Sequence, residues 1–282
     1  MAIKGIDVSA WQGIIDWKAV KNAGIQFAII KAGGSDDGIY TDSKFERNYE
    51  QCKAYGIPVG AYWFIGPNCT TKEDGEADAE RFRKLLMGKQ FEYPVYVDIE
   101  PPLKPANRKY NTDAVIAFCE YMEKAGYYTG VYGSTYSTFQ SLVDDSRLTS
   151  YAHWVAQYAN SCTYWDNYGI WQYTSDGYVN GISGRVDMNY CYVDYPSKIK
   201  AKGMNGFKKG STSSTTPTTK PQTQKYTPLK VDGVFGQVSV KALQRMLNAE
   251  MDAGLDVDGI AGSATWTALQ KYINKWIAEQ NH

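Results

Sequence analysis

Eight short apolar runs, separated by stretches of helical pattern or by turn residues, constrain the first 200 residues more than any other feature. They lie at 5–9, 27–32, 59–64, 95–100, 129–133, 154–158, 169–173 and 186–190. Helical patterns fall near 16–23, 43–55, 73–87 and 113–125. In the last of these, Val115, Phe118, Cys119 and Met122 recur at i, i+3, i+4 and i+7 and share one face. Strands that are apolar on both sides and alternate with helices build a parallel sheet. Eight of them in so short a chain predict a closed or nearly closed, TIM-like β/α barrel, tight for a full (β/α)8 fold. The later runs stand too close together for full crossover helices, so the expected α/β barrel has fewer helices than strands.

The pattern stops at about residue 207. Residues 208–228 read KKGSTSSTTPTTKPQTQKYTP, rich in Ser, Thr and Pro, with four lysines and no acid. Such a segment buries too little surface to offset the entropy of ordering, which predicts an extended linker. Beyond it an internal repeat of period 26 begins. Val231-Asp232-Gly233-Val234-Phe235-Gly236 recurs as Val257-Asp258-Gly259-Ile260-Ala261-Gly262, and Ala242-Leu243-Gln244 as Ala268-Leu269-Gln270. Each copy predicts an Asp-Gly turn followed by an amphipathic helix, with Val240, Leu243, Met246 and Leu247 on one face and Trp266, Leu269, Ile273 and Trp276 on the other. One unit cannot bury its apolar face, whereas two can pack together. The expected organisation is a barrel over 1–207, a linker over 208–228 and a small all-α repeat domain over 229–282. A calcium loop is excluded at 256–259, where EF-hand spacing and the closing Glu are absent.

Charge follows the same division. The chain carries 30 basic and 30 acidic residues, yet 1–207 holds 21 against 24 and 208–282 holds 9 against 6. A wholly basic nucleic-acid binder is excluded, and no apolar run approaches the ~18 residues that span a bilayer. Two histidines and five cysteines (Cys52, Cys69, Cys119, Cys162, Cys191) without a C-x-x-C pair argue against a zinc site or a complete disulfide framework, and suit a chain made in a reducing cytosol. No metal or other cofactor is called for. The N-terminus shows no signal-peptide pattern.

In parallel barrels chemistry gathers at the C-terminal ends of the strands, where four acids fall: Asp7, Asp98, Glu100 and Asp187. Asp98 and Glu100 are two apart in an extended run, on one face and roughly 6.5–7 Å apart by strand rise, and Pro101-Pro102 then stops the strand. Two adjacent carboxyls do not ionise together readily, so one keeps its proton. One donor and one carboxylate are what glycosidic cleavage requires; an exposed Asp-x-Glu at a strand end is the bland alternative. Six of eight Trp and 21 of 23 Tyr precede residue 208. Of these, Tyr62, Trp63, Trp171 and Tyr173 lie near strand ends, where flat rings could stack on sugars.

These motifs converge on a family. Gly5-Ile6-Asp7-Val8-Ser9 with Trp11-Gln12-Gly13, then Pro58-Val59-Gly60-Ala61-Tyr62-Trp63-Phe64, Tyr96-Val97-Asp98-Ile99-Glu100, Trp154-Val155-Ala156-Gln157-Tyr158, Trp171-Gln172-Tyr173 and Val186-Asp187-Met188-Asn189 together resemble glycoside hydrolase family 25 muramidases, in order, over residues 4–195. The resemblance implies a flattened barrel and hydrolysis, with net retention, of the β-1,4 bond from N-acetylmuramic acid to N-acetylglucosamine in bacterial peptidoglycan. It implies Glu100 as general acid/base, Asp98 as its partner, Asp7 and Asp187 as carboxylates that tune the pair or hold substrate, and Tyr62 as a groove tyrosine. Two departures stand out. Lys31-Ala32-Gly33-Gly34-Ser35 replaces a Thr-Glu-Gly-like turn and so lacks its acid, and Trp63 stands where relatives often have His. The repeat at 229–280 resembles small peptidoglycan-binding modules of wall-degrading enzymes; a helical dimerisation or capping module is the other reading, with self-association as its consequence. A lytic barrel, a linker, a wall-binding module and no signal peptide imply a phage endolysin that accumulates in the host cytoplasm and acts on the wall after release. A bacterial autolysin and a non-catalytic glycan-binding protein are the alternatives.

Overall fold

The computed structural model describes residues 2–164, 168–209, 229, 233, 235–251, 253–255, 257 and 259–280. Two compact units emerge, one reaching Gly210 and one formed mainly by the residues after it. The expected linker lies outside the described residues from 210 onward.

The first unit contains β1 (Ile3–Val8), α1 (Trp17–Asn22), β2 (Phe27–Gly34), β3 (Tyr40–Thr41), α2 (Phe45–Ala54), β4 (Val59–Phe64), α3 (Lys72–Leu86), β5 (Val95–Asp98), α4 (Arg108–Lys124), β6 (Thr129–Ser134), β7 (Ala152–Ala156), β8 (Tyr168–Gly177), β9 (Val186–Cys191) and α5 (Tyr195–Lys202). The sheet runs β1-β9-β8-β7-β6-β5-β4-β2, and pairing of β1 with β2 closes it into an eight-stranded barrel; β3 adds two residues to the edge of β2. All eight sequence-predicted strands form, and helices are fewer than strands, as expected. One correction concerns direction. The expected all-parallel sheet is parallel from β1 through β2 and β4 to β8, whereas β9 runs antiparallel to both β8 and β1. Only residues 178–185 join β8 to β9, too few for a crossover helix, so the chain turns straight back.

Period two divides each strand between two environments. Outward residues such as Ile6, Val8, Ala28, Ile30, Val97 and Val131 join Phe82, Phe118 and Met122 of α3 and α4 in the main apolar core. The inward side is filled by rings. Phe27 stacks on Tyr93 at 4.4 Å, and Tyr96 and Trp154 meet edge-on at 5.3 Å. Glycines make this possible, since a Cβ on Gly5 would lie 2.3 Å from the Phe27 ring and one on Gly130 2.4 Å from that of Tyr96.

The second unit contains α6 (Gln237–Met251) and α7 (Ser263–Gln280). Gly233 and Gly259 of the repeated Asp-Gly pairs have φ of +77° and +82°, a left-handed conformation that glycine adopts without strain; the aspartates lie outside the described residues. Gln244 locks the turn before α7, donating to Ile260 O and accepting from Gly259 N–H at 2.8 Å. The expected apolar face of the second helix needs correction. Thr265 and Ala268 are buried, whereas Trp266, Ile273 and Trp276 are each about half exposed.

Candidate active site

A cleft of about 320 Å³ opens at the C-terminal ends of the parallel strands and brings together all four sequence-predicted carboxylates. Asp7 comes from β1, Asp98 from the last residue of β5 and Glu100 from the turn just beyond it; Asp187, expected at a C-terminal strand end, instead lies near the start of β9, whose antiparallel run brings that end to the same side. The strand stops two residues short of its predicted end. Ile99 N–H still donates to Tyr132 O, carrying the β5–β6 ladder one residue further, and Ile99 O accepts the Thr138 hydroxyl at 2.6 Å. Glu100 is thus positioned through both backbone polar groups of Ile99, the residue before it.

Burial dominates the electrostatics. It raises all four carboxyls above their ordinary range. At Asp98 the charge of Glu100 adds to burial and Lys31 opposes it; Oδ1 of Asp98 is buried with no hydrogen-bond partner among the described residues. At Glu100 a hydrogen bond with Tyr132 and the charge of Lys31 oppose burial. Lys31 leans over three rings, 4.9 Å from the Phe64 centroid, 5.3 Å from Tyr40 and 5.8 Å from Tyr62.

Asp7 and Asp187 face each other in the β1–β9 register and share a hydrogen bond. Asp7 Oδ2 also accepts from Asn189 at 2.7 Å and Gln172 at 2.9 Å. A carboxyl raised in the folded state contributes stability that is present below the unfolded carboxylate range and lost as pH climbs toward the raised folded value. Asp187→Asn replaces the shared proton with a permanent N–H donor and removes one charge. We expect it to raise the melting temperature at pH 7 by roughly 2–4 °C, about 1 kcal/mol for a chain of this size, and to flatten its fall between pH 5 and pH 8. Thermal melts at both pH values check this, and a wild-type slope in the variant would overturn it.

The aromatic expectations divide by strand face. Tyr62 lines the cleft and meets Trp154 edge-on at 5.9 Å. Trp63, the next residue, points to the opposite face and packs on Phe82 of α3, only 1% exposed. Trp171 and Tyr173 flank the inward Gln172 and lie outside, where Tyr173 stacks on Tyr190 at 4.6 Å and Trp171 donates to Gln157 O. These three rings therefore do not reach the cleft. The rings that do, beside Tyr62, are Trp11, Phe64, Tyr132, Trp154 and Tyr158. Trp11 is 92% exposed and rides on a turn whose ends are closed by reciprocal Ser9 and Gln12 bonds. The signal for Tyr132 and Trp154 was available as period two around the strand ends; Trp11 sits in a turn, where no period operates.

Asp36 places a carboxyl close to the acid-free Lys31–Ser35 turn. A Cβ on Gly34 would lie 2.5 Å from Asp36 Oδ1, so the Asp36 carboxyl fills the space a side chain there would take. Tyr40 donates its hydroxyl to that oxygen at 2.7 Å, and the charge of Asp36 reaches both Asp98 and Glu100. His153 has no place in the cleft. It is buried, with Nε2 2.9 Å from Asp145 Oδ1 and Nδ1 3.0 Å from Tyr151 O.

Residues 222–269 match a family model described as a peptidoglycan binding domain. The autolytic lysozyme of Clostridium acetobutylicum is 31% identical over 188 residues, 66% of this chain and 55% of that protein. Lysozyme M1 of Streptomyces globisporus is 31% identical over 201 residues, 66% of this chain and 67% of that one. The chain therefore spans little more than half of the first relative. The crystal structure of a bacterial lysozyme from Streptomyces coelicolor superposes with a TM-score of 0.55 at 27% identity, covering 73% of this chain and 99% of that one. With residues 6–182, more than half its length, matching the family model, the chain belongs to the glycosyl hydrolases family 25.

Proposed function

We propose that the chain is a lysozyme that hydrolyses the β-1,4 bond between N-acetylmuramic acid and N-acetylglucosamine in bacterial peptidoglycan. The observation that carries this reading is the Asp98–Glu100 pair in a ring-lined cleft whose burial keeps protons on carboxyls. Glu100, protonated, gives its proton to the glycosidic oxygen as the bond to C1 breaks. Asp98 supports the substrate's acetamido group as its carbonyl oxygen closes on C1, and Glu100, now ionised, takes a proton from the water that reopens the ring. Asp7 and Asp187 hold negative charge near the developing oxocarbenium ion, and Tyr62 with the exposed Trp11 offers flat faces to the sugars. Incubation with purified walls should release new reducing ends of N-acetylmuramic acid. Binding without release would replace the hydrolase with a glycan-binding barrel.

The α6–α7 unit serves in this reading as a wall anchor, which a tether would convert into a raised local concentration of glycan. Its pairing with a lytic barrel favours a lysin that acts on the bacterial wall, of phage or autolytic type. A chain ending at residue 209 should sediment with walls about tenfold or more less than the full chain at equal concentration. Equal sedimentation would remove the anchoring role.

A further inference from the structure

One amide in the barrel wall bonds directly to one carboxylate of the set and, through Tyr132, reaches a second. Gln172 lies on the inward face of β8 and is 1% exposed. Its Oε1 accepts from the hydroxyls of Tyr132 at 2.9 Å and Tyr158 at 3.0 Å, and its Nε2 donates to Asp7 Oδ2 at 2.9 Å. The opposite orientation would set the amide oxygen against a carboxylate, so these partners fix which end is which. Tyr132 has one hydroxyl proton and two acceptors within reach, Gln172 and Glu100.

We infer that Gln172 is a positioning residue that draws the Tyr132 proton away from Glu100, while Asp7 anchors the amide from its other end, so that Glu100 keeps its own proton for the leaving group. The inference rests on the proposed hydrolysis with Glu100 as the acid. When the Tyr132 proton points at Gln172, the phenolic oxygen is free to accept from protonated Glu100. When it points at Glu100, it favours the ionised carboxylate instead. Gln172 tips this choice toward the protonated acid. Its second contact works in the same direction, because donation to Asp7 keeps negative charge on the Asp7–Asp187 pair, which also favours a protonated Glu100. Other groups around Glu100 are Asp98 at the end of β5, Asp187 on β9, Lys31 and Asp36 on and after β2, Tyr62 on β4 and Tyr158 after β7. A neutral substitution at 172 changes none of these charges; of these groups Tyr158 alone bonds to Gln172 and would lose that acceptor.

The test is the pH profile of kcat/KM for release of reducing ends by the full chain. The acid must be protonated, so activity falls on the alkaline side as pH rises through the value of Glu100. Gln172→Met, close in shape and without polar atoms, should move that alkaline limb to lower pH by about half to one unit, with kcat falling more than KM rises. Tyr132→Phe removes both the contested proton and the phenolic oxygen that accepts from protonated Glu100, so the influence of position 172 on the limb should go with it. In that background Gln172→Met should lose most of its shift. A limb unmoved by Gln172→Met, or moved equally with Phe at 132, would overturn the inference. A role in packing alone would lower stability and leave the limb in place. In case the Met variant does not fold, the side-chain amide ¹⁵N signal of Gln172 in the wild-type chain should titrate in step with the kinetic limb and lose that step in Glu100→Gln; a flat signal also overturns it. Undiminished turnover by Glu100→Gln would instead remove the hydrolytic assignment on which the inference stands.

Discussion

Glu100→Gln should lower the release of reducing ends from purified walls by about 10³-fold at the wild-type optimum, within the range of ~10²–10⁴ that a positioned proton donor contributes. The carboxamide keeps the size of the carboxyl and can still meet Tyr132, but it has no proton to give a departing sugar oxygen. The sign of the pH dependence follows from the direction of the shift. Burial raises Glu100, so the protonated form persists above the ordinary carboxylate range and activity is lost as pH climbs through that raised value. The residual rate of the variant should lack this alkaline limb altogether. Wall binding should survive, because the rings of the cleft and the α6–α7 unit are untouched. Colorimetric reducing-end assays across pH, with sedimentation as the control, separate the outcomes. Equal turnover by both chains would dismiss Glu100 as the acid and move attention to Asp98, whose carboxyl is also held high by burial and by the charge of Glu100.

What could be read from residues alone was what leaves a periodic trace. Each buried strand is a run of apolar residues, and each helix repeats every three to four positions, so the eight barrel strands, four helices of the first unit and the two repeat helices were legible. β3 was not, because two residues carry no period. The direction of β9 was not either, since Val186–Cys191 reads the same whichever way it runs; only the brevity of 178–185 hinted at reversal. The four carboxylates were legible because strand ends are where a barrel exposes polar side chains. The ring assignments failed at Trp63, Trp171 and Tyr173 by one residue each, which is a whole face of a strand. Tyr62 and Gln172, their neighbours, hold the inward positions. Choosing rings by their nearness to strand ends, without regard to face, selected three that pack outside, while the amide between two of them carries three hydrogen bonds at the site.

The second large effect lies at the opposite end of the barrel. Asn205, just past α5, is fully buried at a φ of +54°. Its amide donates to Phe91 O at 3.1 Å and Tyr93 O at 2.9 Å ahead of β5, and its Oδ1 accepts from Tyr128 N–H at 2.7 Å ahead of β6. Its own backbone donates to Gly126 O and accepts from Phe91 N–H. One residue thus ties the segment after the last helix to the entries of two central strands. Asn205→Ala would leave two carbonyls and one N–H buried without partners, each worth about 1–3 kcal/mol, and would hold an alanine in the left-handed region at a cost of roughly 1 kcal/mol. The expected loss is about 3–5 kcal/mol, a fall of roughly 10 °C in melting temperature for a chain of this size. Asn205→Gly, which relieves only the backbone strain, should recover about 1 kcal/mol of it. Urea or thermal unfolding followed by tryptophan fluorescence measures both variants. A loss below about 1 kcal/mol for alanine would mean that the three strand-entry groups find other partners. Turnover per folded molecule should stay close to wild type, because Asn205 bonds to the N-terminal entries of β5 and β6 while the carboxylates gather at the other end of the barrel, where the parallel strands finish.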